Sequence, residues 1–259
     1  MKIRLLLPLI LAIAACLGVS SFAPVAAAQE DLDTGPDTLV IQYRASLENR
    51  AAFRTYLATK FAPKLRAMKA KGELADFRIF YSWYRQPDVW DGLVVLRFPS
   101  HAGVTRWNML ERTAPGGLDA AGMALADPVA TYATALAWSR NPDSVRDGEV
   151  YYIIPYEYQD ANVYRDYLKG YVVPQFDGWV ETGAVTGYEI YMNRYSVGKP
   201  WDALFIQHYR DMEAFGQRHK ILEGVRVKLR EIPSWKAWSD KKQGIRTESE
   251  NSIAELIAH

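Results

Sequence analysis

The spacing of apolar positions changes several times along the first half of this chain, and each spacing predicts a different element. Residues 49–71 carry apolar side chains four positions apart, which is typical of one face of an α-helix. The segments 38–44, 76–85 and 90–98 are instead rich in β-branched and aromatic residues, which is typical of β-strands. A short polar turn separates the last two strands, so we expect a hairpin there, followed by a helix over 100–112.

The second half shows the same succession of patterns. Its predicted elements are a strand over 149–157, a helix over 162–182, a hairpin of strands over 187–195 and 201–210, a helix that begins after Asp211, a short helix over 234–243, a loop over 244–251 and a closing strand over 252–258. The stretch 128–140, between the two halves, is also predicted to be helical. Pro63 and Pro174 interrupt the two long helices and predict a kink or a break in each.

The two halves match because the sequence itself repeats. Residues 164–204 echo residues 53–93 at a constant offset of 111 positions, without a gap. Each copy has the order β-α-β-β-α followed by a closing strand, which is the ferredoxin-like order. The sequence therefore predicts an α+β fold of two tandem ferredoxin-like repeats, over 38–147 and 148–259, with their sheets packed together or closed into a barrel.

This succession of residues resembles a known superfamily. The residues that carry the resemblance are Tyr164, Leu168, Pro174, Phe176 and Gly183, followed by a strand, a hairpin and a helix that ends before Pro233, Ser234 and Trp235. The pattern resembles the dimeric α/β-barrel superfamily, in particular its NIPSNAP-like and antibiotic-biosynthesis-monooxygenase-like domains. The resemblance covers about residues 38–259 and implies an intramolecular barrel. Because that superfamily includes cofactor-free monooxygenases, haem enzymes, isomerases and proteins without known activity, it implies the fold and leaves the reaction open.

Residues 1–28 are predicted to be a secretory signal sequence, with a basic start, an apolar segment and a cleavage site after Ala28. Residues 29–37 are then a flexible leader. The mature chain is accordingly expected in the periplasm or outside the cell. An alternative is a lipoprotein signal ending at Cys16, which would leave the protein anchored to a membrane through a lipid on that cysteine.

Composition narrows the classes of partner. The chain contains 31 basic and 30 acidic residues, and such a balance argues against nucleic-acid binding. Cys16 is the only cysteine, so the cleaved chain has no disulfide and no thiolate nucleophile. HExxH and His-x-x-x-His motifs are absent from the sequence, and no metal site is predicted. The apolar segment of the signal is shorter than a typical membrane-spanning helix. The oligomeric state stays open.

Alternation along the strands separates a helix-facing side from a side that looks into the predicted barrel. The inward side of the second strand in each half is polar and aromatic, and a concave site of that composition is a candidate ligand site. The predicted ligand-binding residues are Arg78, Tyr84, Tyr191 and Asn193, joined by Gln42 and Arg44 from the first strand. An alternative interpretation is that these residues form a satisfied polar layer between two sheets.

His208 is the candidate catalytic residue, as a general base or a haem ligand, with Tyr195 and Glu189 as acid–base partners. The alternative is a hydrogen-bonded structural histidine or one at the rim. Its same-face neighbours on the strand are apolar, which favours a position facing the helices. His219, on the apolar stripe of a helix, is expected to be packed against the core. The sequence requires no cofactor, although the resemblance makes haem compatible.

Three functions stay open at this level. The first is an exported protein that binds a small apolar or aromatic molecule in its barrel cavity. The second is a cofactor-free or haem-dependent oxidoreductase or isomerase, and the third is a non-catalytic interaction domain. The repeated Trp-Asp pairs, Trp90-Asp91 and Trp201-Asp202, are expected to be structural, with tryptophan covering the end of the hairpin and aspartate capping turn amides.

Overall fold

The protein is described from a computed structural model, which describes residues 37–143, 145–195, 197 and 201–259. The predicted signal sequence, Cys16 and most of the predicted leader lie outside these residues. Within the described part of the chain, the structure has no helix that is both long enough and apolar enough to cross a membrane.

The elements of the first half follow the predicted order up to its last segment. The strands are β1 (Thr38–Ala45), β2 (Asp76–Ser82), β3 (Gly92–Arg97) and β4 (Ala126–Arg140), and the helices are α1 (Arg50–Tyr56), α2 (Ala62–Ala70), α3 (His101–Leu110) and α4 (Ala120–Met123). In the second half the strands are β5 (Val150–Tyr158), β6 (Val185–Asn193), β7 (Ala203–Tyr209), β8 (Arg246–Glu248) and β9 (Ser252–Ala258). The helices there are α5 (Ala161–Tyr167), α6 (Val173–Glu181), α7 (Met212–Gly216), α8 (Arg218–Leu229) and α9 (Pro233–Lys241).

The prediction of a helix over 128–140 is wrong, because this stretch belongs to the long strand β4. Its backbone pairs with β1 on one side, where Thr134 lies opposite Thr38, and with β6 on the other, where Thr134 lies opposite Asn193. Strand partners on both sides override the local helix preference of its alanines. The predicted loop 244–251 likewise contains the short strand β8, which pairs with the end of β5.

Each long helix contains one π-helical turn directly before its proline. Leu57–Phe61 joins α1 to α2, and Leu168–Val172 joins α5 to α6. Pro63 and Pro174 follow in the first turn of α2 and α6. A wider turn removes the clash between a proline ring and the carbonyl of the preceding turn. The prolines therefore change the helical hydrogen bonding locally without ending the helix.

Among the described residues, eight antiparallel strands pair in a ring that returns to its starting strand. The order is β4-β1-β3-β2 within the first half and β9-β5-β7-β6 within the second. The pairs β4–β6 and β2–β9 join the two four-stranded sheets at both edges, and β8 extends β5 outside the ring. The fold is therefore α+β, with a large antiparallel sheet and helices packed on its outer face.

The two faces of the sheet have separate cores. As predicted, Phe77, Ile79 and Tyr81 pack against the helices of the first half, and Tyr188, Ile190 and Met192 pack against those of the second. The opposite side chains meet inside the barrel, in a core that includes Val40, Phe80, Val95, Tyr151, Tyr191 and Ile206. Side chains thus fill much of the interior in which a ligand cavity is predicted.

Candidate functional site

A buried polar cluster in the barrel interior brings together four of the predicted site residues. Arg78 on β2, Glu189 and Tyr191 on β6 and His208 on β7 are each at most 4 % exposed. Arg78 Nη1 donates a hydrogen bond to Glu189 Oε2, and Tyr191 OH donates one to Glu189 Oε1 at 2.8 Å. His208 Nε2 lies 3.3 Å from Glu189 Oε2. Three polar side chains therefore surround one carboxylate.

Strand register explains how these residues meet. Arg78 and Glu189 lie 111 residues apart in the sequence and face each other across the barrel. On β6 and β7, Gly187 lies opposite His208, so the imidazole lies diagonally beside Glu189 on the inner face. A Cβ at Gly187 would lie 2.5 Å from the carbonyl oxygen of Asn141, so only glycine fits this close approach.

The cluster keeps Glu189 in its charged form. Burial alone raises the pKa of Glu189, but the Arg78 guanidinium and the His208 hydrogen bond outweigh burial and leave this pKa below its usual value. Burial, followed by the Glu189 carboxylate, raises the pKa of Tyr191 well above its usual value, so this phenol stays protonated and remains a donor. The geometry is that of an internally satisfied ion pair.

A second buried carboxylate, to which the sequence assigned no role, lies next to this cluster. Glu149 accepts hydrogen bonds from Tyr151 OH at 2.7 Å and from Thr186 Oγ1 at 2.6 Å. The Tyr151 ring lies 4.8 Å from the His208 ring, centroid to centroid. Tyr151 and Ile153 are two positions apart on β5, so both side chains lie on its inner face. This spacing was the signal in the sequence from which a place for Tyr151 beside the cluster could have been predicted.

Access to this cluster is restricted. Toward the surface, Arg78 Nη2 donates to the Pro142 carbonyl and lies 3.6 Å from Oδ1 of the exposed Asp143. His208 is fully buried and faces the interior, so the expectation that it could face the helices is wrong. Its Nδ1 has no hydrogen-bond partner among the described residues. The arrangement matches the satisfied polar layer better than a site that a substrate reaches.

Both predicted tyrosines at the strand ends lie away from the cluster, which corrects their expected position. Tyr84 and Tyr195 are each 55 % exposed, because β2 ends at Ser82 and β6 ends at Asn193 before either tyrosine is reached. Tyr195 therefore does not lie beside the buried Glu189. Asn193 donates to the carbonyl of Trp201 at 3.0 Å and accepts from the Tyr195 amide at 3.3 Å, so it joins the two arms of a hairpin.

The remaining predicted ligand residues lie near one open end of the barrel. Gln42 lines a cavity of about 580 Å³ there, the barrel-mouth cavity, together with Trp90, Tyr132, Trp201 and Leu204. Arg44 points its guanidinium toward the backbone, where Nη2 donates to the carbonyl of Val89 at 3.4 Å. The open space of the interior is thus at the mouth, and the predicted pocket around Arg78 is filled.

A second cavity lies on the outer face of the sheet, between β5, β7 and the helices α6 and α8. We name it the helix-side cavity, and its volume is about 260 Å³. Its aromatic wall consists of Tyr152, Tyr156, Phe176, Trp179, Phe205 and Tyr209. The sequence analysis did not identify this cavity, because its lining comes from strands and helices up to 96 residues apart.

Three arginines line the helix-side cavity, and none of them forms a salt bridge to a described residue. Arg226 Nε donates to Gln175 Oε1, a neutral amide, at 2.7 Å. Arg218 lies over the Phe215 ring, and Arg246 lies 3.9 Å over the Tyr156 ring. Uncompensated guanidinium groups beside aromatic rings attract carboxylates and other anions.

Two residues that line this cavity also carry a buried donor without an acceptor. Trp179 is 4 % exposed, and its indole Nε1 has no acceptor among the described residues, nor has Arg246 Nη1. His219 lines the cavity and is exposed, which corrects the expectation that it packs against the core. Glu248 supplies a carboxylate at the edge of the wall, where it accepts from Asn251. In the described residues, no group of three or more His, Cys, Asp or Glu side chains is placed to hold a metal ion.

Comparisons with known proteins show the fold. The chain resembles the crystal structure of a proposed monooxygenase from Lactobacillus acidophilus NCFM, at 12 % identity and a TM-score of 0.51, over 86 % of this chain and 95 % of that one. It also resembles an anthrone oxidase-like protein at 10 % identity and a TM-score of 0.50, over 89 % and 93 % of the two chains. A mutant chlorite dismutase from Candidatus Nitrospira defluvii in complex with cyanide matches at 8 % identity and a TM-score of 0.50, over 89 % and 95 %.

These likenesses show that the chain shares the overall architecture of those structures. At identities of 8–12 % they indicate the architecture and carry no residue roles. No family model matches the sequence, and no curated protein matches it. The NIPSNAP-like resemblance stays a prediction.

Proposed function

We propose that the protein is an oxidoreductase that binds a planar, carboxylate-bearing molecule in the helix-side cavity. The observation that carries this proposal is the set of three cavity arginines, Arg218, Arg226 and Arg246, without a described carboxylate partner. A ligand with an aromatic body and a carboxylate would satisfy both the aromatic wall and the guanidinium groups. The reaction class rests on analogy with neighbours of the same fold, which are described as a monooxygenase and as anthrone oxidase-like.

Arg226 and Arg246 are held beside the cavity by different contacts. Arg226 lines the cavity, where its Nε bond to Gln175 holds it against α6 and leaves its other N–H groups for a ligand. Arg246 stacks on Tyr156, with its guanidinium carbon 3.9 Å from the ring centroid, and this contact fixes its positive charge beside the cavity. A hydrogen bond between such charged groups is worth about 1.5–3 kcal/mol, so one lost arginine contact should weaken binding by about ten-fold or more.

Haem is the second candidate, favoured by the imidazole of His219 on the cavity wall. The donors suit a haem, since the arginines would hold its carboxylates, His219 would be the iron ligand, and the bound iron would supply redox chemistry. The volume of the helix-side cavity does not suit a haem. A volume of about 260 Å³ lies below the ~300–1,000 Å³ of pockets for drug-sized ligands, and a tetrapyrrole is large for that class. The cavity therefore suits a ligand smaller than a tetrapyrrole.

Titration of the purified protein with 2-naphthoate, followed by calorimetry, tests the proposal. We expect 2-naphthoate to bind and the uncharged 2-naphthamide to bind at least about ten-fold more weakly. Arg226→Gln should weaken naphthoate binding by about ten-fold, whereas Lys228→Gln, on the exposed side of the same helix, should leave it unchanged. Equal binding of both probes, or equal effects of the two variants, would contradict an anion site.

A parallel titration with hemin separates the two candidates. A new Soret band that shifts in His219→Ala would establish haem binding and an opening of the cavity beyond its present volume. An unchanged hemin spectrum together with naphthoate binding would leave the cofactor-free oxidoreductase. Binding of naphthoate without turnover under air would favour the binding protein predicted as the first alternative.

Two further proposals concern the whole chain. We propose that the halves over 38–147 and 148–259 are tandem ferredoxin-like repeats, which is supported by the 111-residue offset and the matching strand orders. We also propose export to the periplasm or beyond after cleavage at residue 28. The intact mass of the protein from the producing cell checks this, because cleavage after residue 28 removes residues 1–28, whereas a lipoprotein would keep Cys16 and the residues after it and carry the mass of the attached lipid.

A further inference from the structure

Two glutamines are buried in the wall of the helix-side cavity. Gln175 on α6 and Gln207 on β7 line this cavity, and each is 4 % exposed. The carboxylates that are buried in the described part of the second half, Glu149 and Glu189, do not line it. Glu248, the acidic residue on its wall, is exposed. The buried part of the described wall therefore contains amides and no carboxylate.

Gln175 is joined directly to one of the cavity arginines. Arg226 Nε donates to Gln175 Oε1 at 2.7 Å, so this bond connects α8 to α6, and both residues line the cavity. An amide oxygen accepts such a bond without cancelling the charge of the guanidinium, whereas a carboxylate in its place would form an ion pair. Arg226 is therefore held in position and keeps its positive charge available to a ligand.

The interior cluster shows the effect of a carboxylate next to a buried arginine. There Arg78 donates to Glu189, and both side chains are at most 4 % exposed. The opposite charges compensate each other, so such a pair attracts a further anion only weakly. Glutamine has nearly the same size as glutamate but carries no charge, so Arg226 receives no such compensation from Gln175.

The first half of the chain has other residues at the same offset. Lys64 and Leu96 stand 111 positions before Gln175 and Gln207. Leu96 is fully buried in the apolar core of the first half, and Lys64 Nζ donates to the carbonyl of Gly117 at 2.7 Å. The two amides are therefore a feature of the half that carries the helix-side cavity and its three arginines.

We infer that Gln175 determines the charge preference of the helix-side cavity. Its amide positions Arg226 and leaves the guanidinium charge for the carboxylate of a ligand. A glutamate at this position would supply the opposite charge from within the protein, and an anionic ligand would then lose its attraction to Arg226. The inference rests on the proposed function, in which the cavity binds a carboxylate-bearing molecule, and it identifies a residue on which that selectivity depends.

Gln175→Glu tests the inference when its affinities for 2-naphthoate and 2-naphthamide are measured by calorimetry. The substitution keeps the size of the side chain and adds one negative charge. It should weaken naphthoate binding by about ten-fold and change naphthamide binding by less than about two-fold, because only the anion depends on the charge of Arg226. An unchanged ratio of the two affinities would overturn the inference.

Two further variants separate the charge at this position from its shape. Gln175→Met stays neutral and should keep the preference for naphthoate over naphthamide, so a loss as large as that of Gln175→Glu would also overturn the inference. Gln86→Glu adds a carboxylate at an exposed position outside the cavity wall and should change neither affinity. If the wild type itself does not distinguish the two probes, the proposed function fails and the inference fails with it. If the wild type distinguishes them and Gln175→Glu does so equally well, only the inference about Gln175 fails.

Discussion

Glu189→Gln tests whether the interior cluster is a structural ion pair. The amide keeps the size of the side chain and removes the charge that faces Arg78, which is 4 % exposed. The guanidinium then stays buried with the Pro142 carbonyl and the exposed Asp143 as its remaining partners. Because removing one partner of a buried pair leaves an uncompensated charge, we expect the free energy of unfolding to fall by about 3–5 kcal/mol.

Two companion variants show where that free energy comes from. Tyr191→Phe removes one hydrogen bond to the carboxylate and should cost less, about 1.5–3 kcal/mol. Arg78→Met combined with Glu189→Gln removes both charges, so it should recover at least about 2 kcal/mol relative to the sum of the single variants. Glu73→Gln, at an exposed position, serves as the control.

Urea unfolding followed by far-ultraviolet circular dichroism measures these differences. The midpoint should fall with Glu189→Gln and stay at the wild-type value with Glu73→Gln, at an unchanged slope. A loss below about 1 kcal/mol for Glu189→Gln would refute the ion-pair interpretation. So would strict additivity of Arg78→Met and Glu189→Gln, because uncoupled residues do not form a pair.

Two further predictions follow from the same structure. In the folded protein the pKa of Glu189 lies below the ordinary glutamate value of 4.5, so its stabilisation is complete above pH 4.5 and is lost as the pH falls through the lowered value. Urea curves at decreasing pH should show a steeper loss for the wild type than for Glu189→Gln. Gly117→Ala should lower the stability by about 2 kcal/mol or more, because Gly117 has φ 76° and a Cβ there would lie 2.5 Å from Trp107 Cη2. Gly224→Ala, within α8 and with nothing within 4 Å of the added Cβ, should raise it by about 0.5–1 kcal/mol, and calorimetry of both variants checks the pair.

The order of elements could be predicted because each element has a local signature. Apolar residues spaced two apart predict the strands of both halves, and apolar residues spaced four apart predict the long helices. Because the sequence repeats at an offset of 111 residues, an element predicted in one half supports the prediction of its counterpart in the other. β4 was missed because its alanines favour a helix locally. Its strand partners, β1 and β6, lie 80 or more positions before it or about 50 positions after it, where no local pattern can show them.

The residues of the candidate sites could also be predicted only in part. Alternation correctly assigned Arg78, Glu189 and Tyr191 to the inner face, but it extended the strands to Tyr84 and Tyr195, which lie beyond their ends. The helix-side cavity escaped prediction because its arginines come from α8 and β8 and its aromatic wall comes from β5, β7 and α6.

By itself, the sequence determined the repeat, the succession of elements and which face of each strand is polar, because these depend on spacing over a few residues. Only the tertiary structure decided that Arg78 meets Glu189 and that Trp90 and Trp201 border one cavity. Those contacts join residues 111 positions apart, and they exist because β4 pairs with β6 and β2 with β9 to close the barrel. Closure also determined which part of the interior is filled and which part stays open at the mouth.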